Sequence, residues 1–231
     1  PKLLMFDGTN FHTQATDEQA AYWGDTVGVQ GFFVNRVMAS WQDDVGTRTD
    51  SKLWRQLGLF QSIYARHGMA DNFIKVALYK PIDWRDADAL KQVVRNFSHA
   101  AALARHAGLK GIAIDLEPYE PTWVDGDALS ATVQAEASAI ASAMRTAYPQ
   151  MTLVVIKDAL HQNYPHTPLD ELVSKFGTDP GPSRHFWHGG YALAVPFLRG
   201  LLSADWAHVV IATEVTYDGS DMATPVRQTQ R

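Results

Sequence analysis

Apolar positions along this chain come in two rhythms that alternate. Short, nearly unbroken apolar runs occupy residues 2–6, 31–37, 73–79, 111–119, 151–156 and 208–215. Each is followed by polar or turn-forming residues, the pattern of a strand covered on both faces. Between the runs lie stretches with helical spacing. Thr16-Asp17-Glu18-Gln19 has the capping-box spacing and opens a helix that carries Tyr22 and Trp23 and fades at Gly24 and Gly28. A second helix is predicted over 51–66, before His67-Gly68, and a third begins at Asp83-Trp84-Arg85-Asp86 and ends at Arg105-His106-Ala107-Gly108. Basic residues followed by glycine suit a helix C-terminus for dipole and capping reasons. An alanine-rich helix follows over 127–148, stopped by Pro149, and another over 191–202. The segment 161–190 is rich in Pro, Gly and His, with room for a short helix at 169–175, and loops of that length are often functional.

Six strand–helix alternations predict a parallel α/β sheet, either doubly wound or closed as a (β/α) TIM-type barrel. The first strand runs into Asp7-Gly8-Thr9-Asn10, which lacks G-x-G-x-x-G, and the chain has no Walker A sequence. The barrel is therefore the expected fold. A full barrel has eight units in about 250 residues, so six units imply an incomplete or truncated one, or an unusual closure.

Composition narrows the partners. With 231 residues and 46% hydrophobic content, one catalytic domain spanning 1–231 is expected. A net charge of −5 without Lys/Arg runs offers no footprint for nucleic acid or an anionic membrane, and no apolar run reaches membrane-spanning length. The absence of cysteine excludes disulfides, thiolate zinc sites and a Cys nucleophile. The chain opens on Pro1, so a leader or other N-terminal part could have been removed.

The most informative run is the fourth. In strand geometry Ala113, Asp115 and Glu117 share one side while Ile112, Ile114 and Leu116 share the other. One side is small and then acidic, as expected of a barrel strand that delivers catalytic groups at its C-terminal end. Glycosidic cleavage needs one carboxyl to protonate the leaving oxygen and usually a second as nucleophile or base. Glu117 is the acid/base candidate, Asp115 a neighbouring charge that would raise its proton affinity, and Glu214 at the end of the sixth strand the second carboxylate. Asp7 and Lys157-Asp158 stand at the tips of the first and fifth strands.

Asp115-Leu116-Glu117 at a fourth strand's end resembles the glycoside hydrolases built on TIM barrels. In chitinase-like family 18 enzymes this strand carries D-x-x-D-x-D-x-E. The resemblance implies that Glu117 protonates the glycosidic oxygen and that Asp115 orients an acetamido group. Lys110 and Ala113 stand where the first two aspartates of that pattern belong, so the likeness is confined to its last two acidic positions. The D-x-E spacing is also similar to family 25 lysozymes, and Glu117-Pro118 matches the N-E-P group with Leu116 in place of Asn.

Aromatics point the same way. Trp41, Trp84, Trp123 and Trp187 follow strands, where a barrel would set them around its mouth to stack on sugar rings; Tyr79, Tyr119 and Tyr217 stand near strand ends. Trp23, Trp54 and Trp206 are expected to pack. His161, His166, His185 and His188 crowd the long segment without the H-E-x-x-H spacing, and exposed loop histidines are the simpler reading. His12 lies near the first strand's tip. The expected activity is hydrolysis of a polysaccharide or oligosaccharide, endo-acting, with a carbohydrate substrate and neither cofactor nor metal; a secreted or periplasmic setting suits it. The competing expectations are a metal-dependent hydrolase or phosphodiesterase using Asp7, Asp115 and Glu117, and a non-catalytic carbohydrate-binding barrel.

Overall fold

The computed structural model describes residues 2–7, 11–45, 51–78, 80–118, 126–156 and 193–212. Its strands are β1 (Leu4–Phe6), β2 (Gly31–Ser40), β3 (Phe73–Leu78), β4 (Gly111–Pro118), β5 (Thr152–Ile156) and β6 (His208–Ala212). Its helices are α1 (Asp17–Ala20), which runs on as a π-helical stretch (Ala21–Val27), then α2 (Lys52–Ala65), α3 (Ala87–Ala107), α4 (Gly126–Ala147) and α5 (Ala194–Leu202). The strands pair in chain order, β1 to β6, and every pair is parallel. Sequential parallel pairing with helical crossovers curls the sheet into part of a barrel.

The predicted helix signals act as expected. Thr16 Oγ1 accepts from Gln19 N at 3.2 Å, Asp86 caps α3 through Asp88 N and Ala89 N, and Gly108 adopts φ 75° at the end of α3. That left-handed conformation costs glycine nothing and turns the chain into β4. The convex side carries the main core. Phe32, Val34, Ile74, Val76, Ile112, Ile114, Leu153 and Val155 meet Leu57, Phe60, Phe97, Ala101, Val133, Ile140 and Phe197 from the helices. Each fully buried large apolar side chain there contributes about 1.5–3 kcal/mol. The alanines of α4 serve close packing: a side chain at Gly200 of α5 would run into the Gln134 carbonyl and Ala137.

The concave side is a thinner cluster of Phe33, Phe73, Ala113, Val154 and Ile156, with Leu4 and Phe6 against it. The N-terminal ends of the strands are tied by Asn72, which accepts from Phe32 N at 2.8 Å and donates to Met69 O and Gln61 Oε1. At the far side, β6 is held only by β5 among the described residues. Val209 pairs with Leu153 and Val210 with Val154, so they face opposite sides of the sheet; they are 40% and 47% exposed.

β2 is longer than the 31–37 run and irregular. Val34 pairs with Ile74 and Met38 with Val76, so 35–37 oppose Lys75 alone. Arg36 lies in this bulge with φ 62°, the one non-glycine with positive φ among the described residues.

Candidate active site

The concave cluster is apolar except where β3 and β4 bring a cation and an anion together. Lys75 shares its strand face with Phe73 and Ala77, while Asp115 shares its own with Ala113. In register, Lys75 pairs with Ala113, one step below Asp115. The lysine stem spans that diagonal, placing Nζ 2.7 Å from Asp115 Oδ2, and the ammonium also sits 4.6 Å from the centre of the Phe6 ring. The two residues are 7% and 2% exposed. A charge this buried is tolerated only when paired, and the quadrupole of Phe6 adds a weaker attraction.

Sequence reasoning passed over Lys75. Its signal was available: a lone cation in the middle of Phe73-Ile74-Lys75-Val76-Ala77, at inward parity. The pair also corrects the expected electrostatics of the fourth strand. Lys75 opposes the field that Asp115 exerts along β4, so Asp115 is not an uncompensated charge.

Beyond Asp115 the strand changes. Ala77 pairs with Asp115, but Leu78 pairs with Pro118, so Leu116 and Glu117 fall in a gap in the β3–β4 ladder. Leu116 stays in the convex core. Bulges re-aim side chains and are common next to active sites. Glu117 is thus placed by its backbone at the C-terminal end of β4, in the irregular part of the strand.

Other expected residues stand elsewhere. Asp7 is fully buried, with His12 Nδ1 3.2 Å from its Oδ2; alternation from Leu4 and Phe6 puts it on the side of Met5, which packs with the helices. It is enclosed there beside His12 and Tyr64, on the side away from the concave face. Trp41 and Trp84 also lie in the convex core, 0% and 4% exposed, edge to face with ring centres 5.5 Å apart, and both pack on Phe197. Trp41 Nε1 donates to Lys80 O at 3.0 Å. Both rings are enclosed in the core, so the expected sugar-stacking role gives way to packing under α5. Trp23, Trp54 and Trp206 pack as expected. Glu214, Tyr79, Tyr119, Trp123, Lys157, Asp158, Trp187 and Tyr217 lie outside the described residues, as do His161, His166, His185 and His188.

Three buried or bridged groups carry shifted protonation, among them Asp17, which is lowered chiefly by its hydrogen bond from Arg66. The Tyr64 hydroxyl on α2 is pushed up to about 12 by burial and then by the charge of Asp7. His67 is raised, chiefly by its hydrogen bond to Asp25 (Nδ1 to Oδ2, 2.7 Å); burial opposes this, and the charge of Asp25 and the contact with Asp17 add to the rise.

These features define a parallel βα protein of the TIM-barrel type with a polar pair on its concave face. Solved structures agree with the fold. A variant of NCR from Zymomonas mobilis superposes with a TM-score of 0.53 at 13% identity, covering 98% of this chain and 71% of that one. A sugar phosphate isomerase/epimerase from Parabacteroides distasonis gives 0.50 at 10% identity, covering 100% and 75%. At such identities the likeness is one of fold. No family model matches the sequence, and no curated protein matches it.

Proposed function

We propose that the chain is a glycoside hydrolase that cleaves glycosidic bonds in a polysaccharide or oligosaccharide, with Glu117 as general acid/base. The observation that carries this reading is the end of β4, where Asp115 on the concave face precedes a ladder gap holding Glu117. Active sites of (β/α) barrels are built at that end of the strands. Protonated Glu117 would donate to the departing glycosidic oxygen as positive charge develops on the ring, and the carboxylate would then accept a proton from water. Asp115, held by Lys75, fixes the base of the site beneath Glu117. Glu214 is the proposed second carboxylate. A separation of about 5 Å from Glu117 would give retention, and roughly 6.5–9.5 Å inversion.

The test is a glycan-library digestion with the parent and Glu117→Gln side by side. The expected result is cleavage of at least one glycan by the parent and loss of that cleavage by a factor of about 100 or more in the variant. Equal products from both proteins overturn the assignment of Glu117.

A further inference from the structure

Arg36 has an expensive backbone and, among the described residues, no ion-pair or hydrogen-bond partner. Its φ of 62° lies in the left-handed region, which costs a residue with a Cβ roughly 1–2 kcal/mol. A glycine would remove that cost. The register around it shows why the conformation arises: 35–37 together oppose Lys75, and the extra length is taken up at Arg36. Val34, Val37 and Met38 remain in the convex core while Arg36 is exposed, so the bulge turns this one side chain out of the packed layer. Among the described residues the guanidinium makes no ion pair or hydrogen bond. The nearest cation in register, Lys75, is already matched by Asp115 at 2.7 Å. Among the described residues Arg36 is therefore an uncommitted positive charge, carried on the neighbouring strand at the level of Lys75.

We propose that Arg36 binds an anionic group of the substrate, and that the glycan is acidic, carrying carboxylate or sulfate groups. This rests on the glycoside-hydrolase reading. A planar guanidinium takes a carboxylate or sulfate through two parallel N–H donors, giving orientation as well as attraction. The matched Lys75–Asp115 pair adds little net charge, so selectivity for an anion falls to Arg36. A bulge holding one cation at a fixed level of the strand would set which sugar unit bears the acid.

The experiment is binding to an array of uronate-containing and sulfated oligosaccharides, each beside its carboxyl-reduced or desulfated counterpart. The Glu117→Gln background keeps binding separate from cleavage. The anionic member of a bound pair is expected to bind about 10- to 100-fold more tightly. Arg36→Asn, which tolerates a left-handed backbone, should bring that ratio close to one, and Arg36→Lys should restore part of it. Whether carboxylated or sulfated glycans show the preference tells which group Arg36 receives. The inference is overturned by neutral counterparts binding as well as the acidic ones, by a preference that survives Arg36→Asn, or by retention of no acidic glycan. Cleavage of neutral glycans without acid preference overturns this inference alone. Retention of acidic glycans through Arg36, with none cleaved by the parent, overturns the hydrolase reading alone.

Discussion

Lys75 Nζ and Asp115 Oδ2 meet at 2.7 Å inside the curled sheet, joining β3 to β4 beneath the candidate acid. Their separate removal should be far more harmful than their joint replacement. Lys75→Met leaves a buried carboxylate without its cation and is expected to cost about 3–5 kcal/mol in denaturant unfolding. Lys75→Met with Asp115→Leu should regain most of that loss. A double variant as unstable as the single one would show that the pair is not the source of the effect.

Arg36→Gly should stabilise the fold. At φ 62° the arginine stores strain that glycine lacks, offset in part by glycine's greater freedom in the unfolded chain. A net gain of roughly 0.5–1 kcal/mol is expected by thermal or chemical unfolding. A loss of stability would mean that the arginine side chain holds the bulge in place.

His67 ties the end of α2 to Asp25 and Asp17 across 2.7 and 3.5 Å. Its raised folded-state value means that the folded chain binds its proton more tightly than the unfolded chain does. The stabilisation is thus fully present below the ordinary histidine value near 6.5 and is lost as pH rises through the raised value. Melting temperature measured from pH 5 to 9 should fall across that window in the parent and less so in Asp25→Asn. Parallel profiles would remove His67 from the account.

Tyr64 should give an alkaline signature. Its hydroxyl is fully buried with no hydrogen-bond partner among the described residues, and its folded-state value of about 12 exceeds the ordinary 10. The unfolded chain therefore loses this proton first, and stability declines between about pH 10 and 12. Tyr64→Phe removes both the ionisation and an unsatisfied hydroxyl. It is expected to gain about 1 kcal/mol at neutral pH and to flatten that alkaline decline, both readable by circular dichroism.

How much of this was legible in the sequence follows from the range of the interactions involved. Strand order and helix caps are local or periodic, so Thr16, Asp86 and Gly108 announced themselves, and the six apolar runs became six parallel strands. The inward parity of Asp115 was equally visible. The bulges were not, because a bulge exists only relative to a neighbouring strand: nothing local to 35–37 or 116–117 marks them as unmatched. Trp41 and Trp84 misled for a similar reason. Their placement after strands suggested the mouth, but Phe197, more than 100 residues further on, draws both into the core. Lys75 stands out in its own run only as a lone inward cation, and its partner Asp115 lies on the next strand, where only the β3–β4 register brings the two together.

Among the described residues β6 closes the strand order and leaves a rim with its own consequence. β6 exposes Val209 to one side of the sheet and Val210 to the other, and among the described residues one of its edges has no strand beside it. Unpaired backbone groups flanked by valine form a template for another strand. A strand laid along that edge would gain backbone hydrogen bonds and cover one of the two valines, so among the described residues this is the rim at which the sheet can still grow.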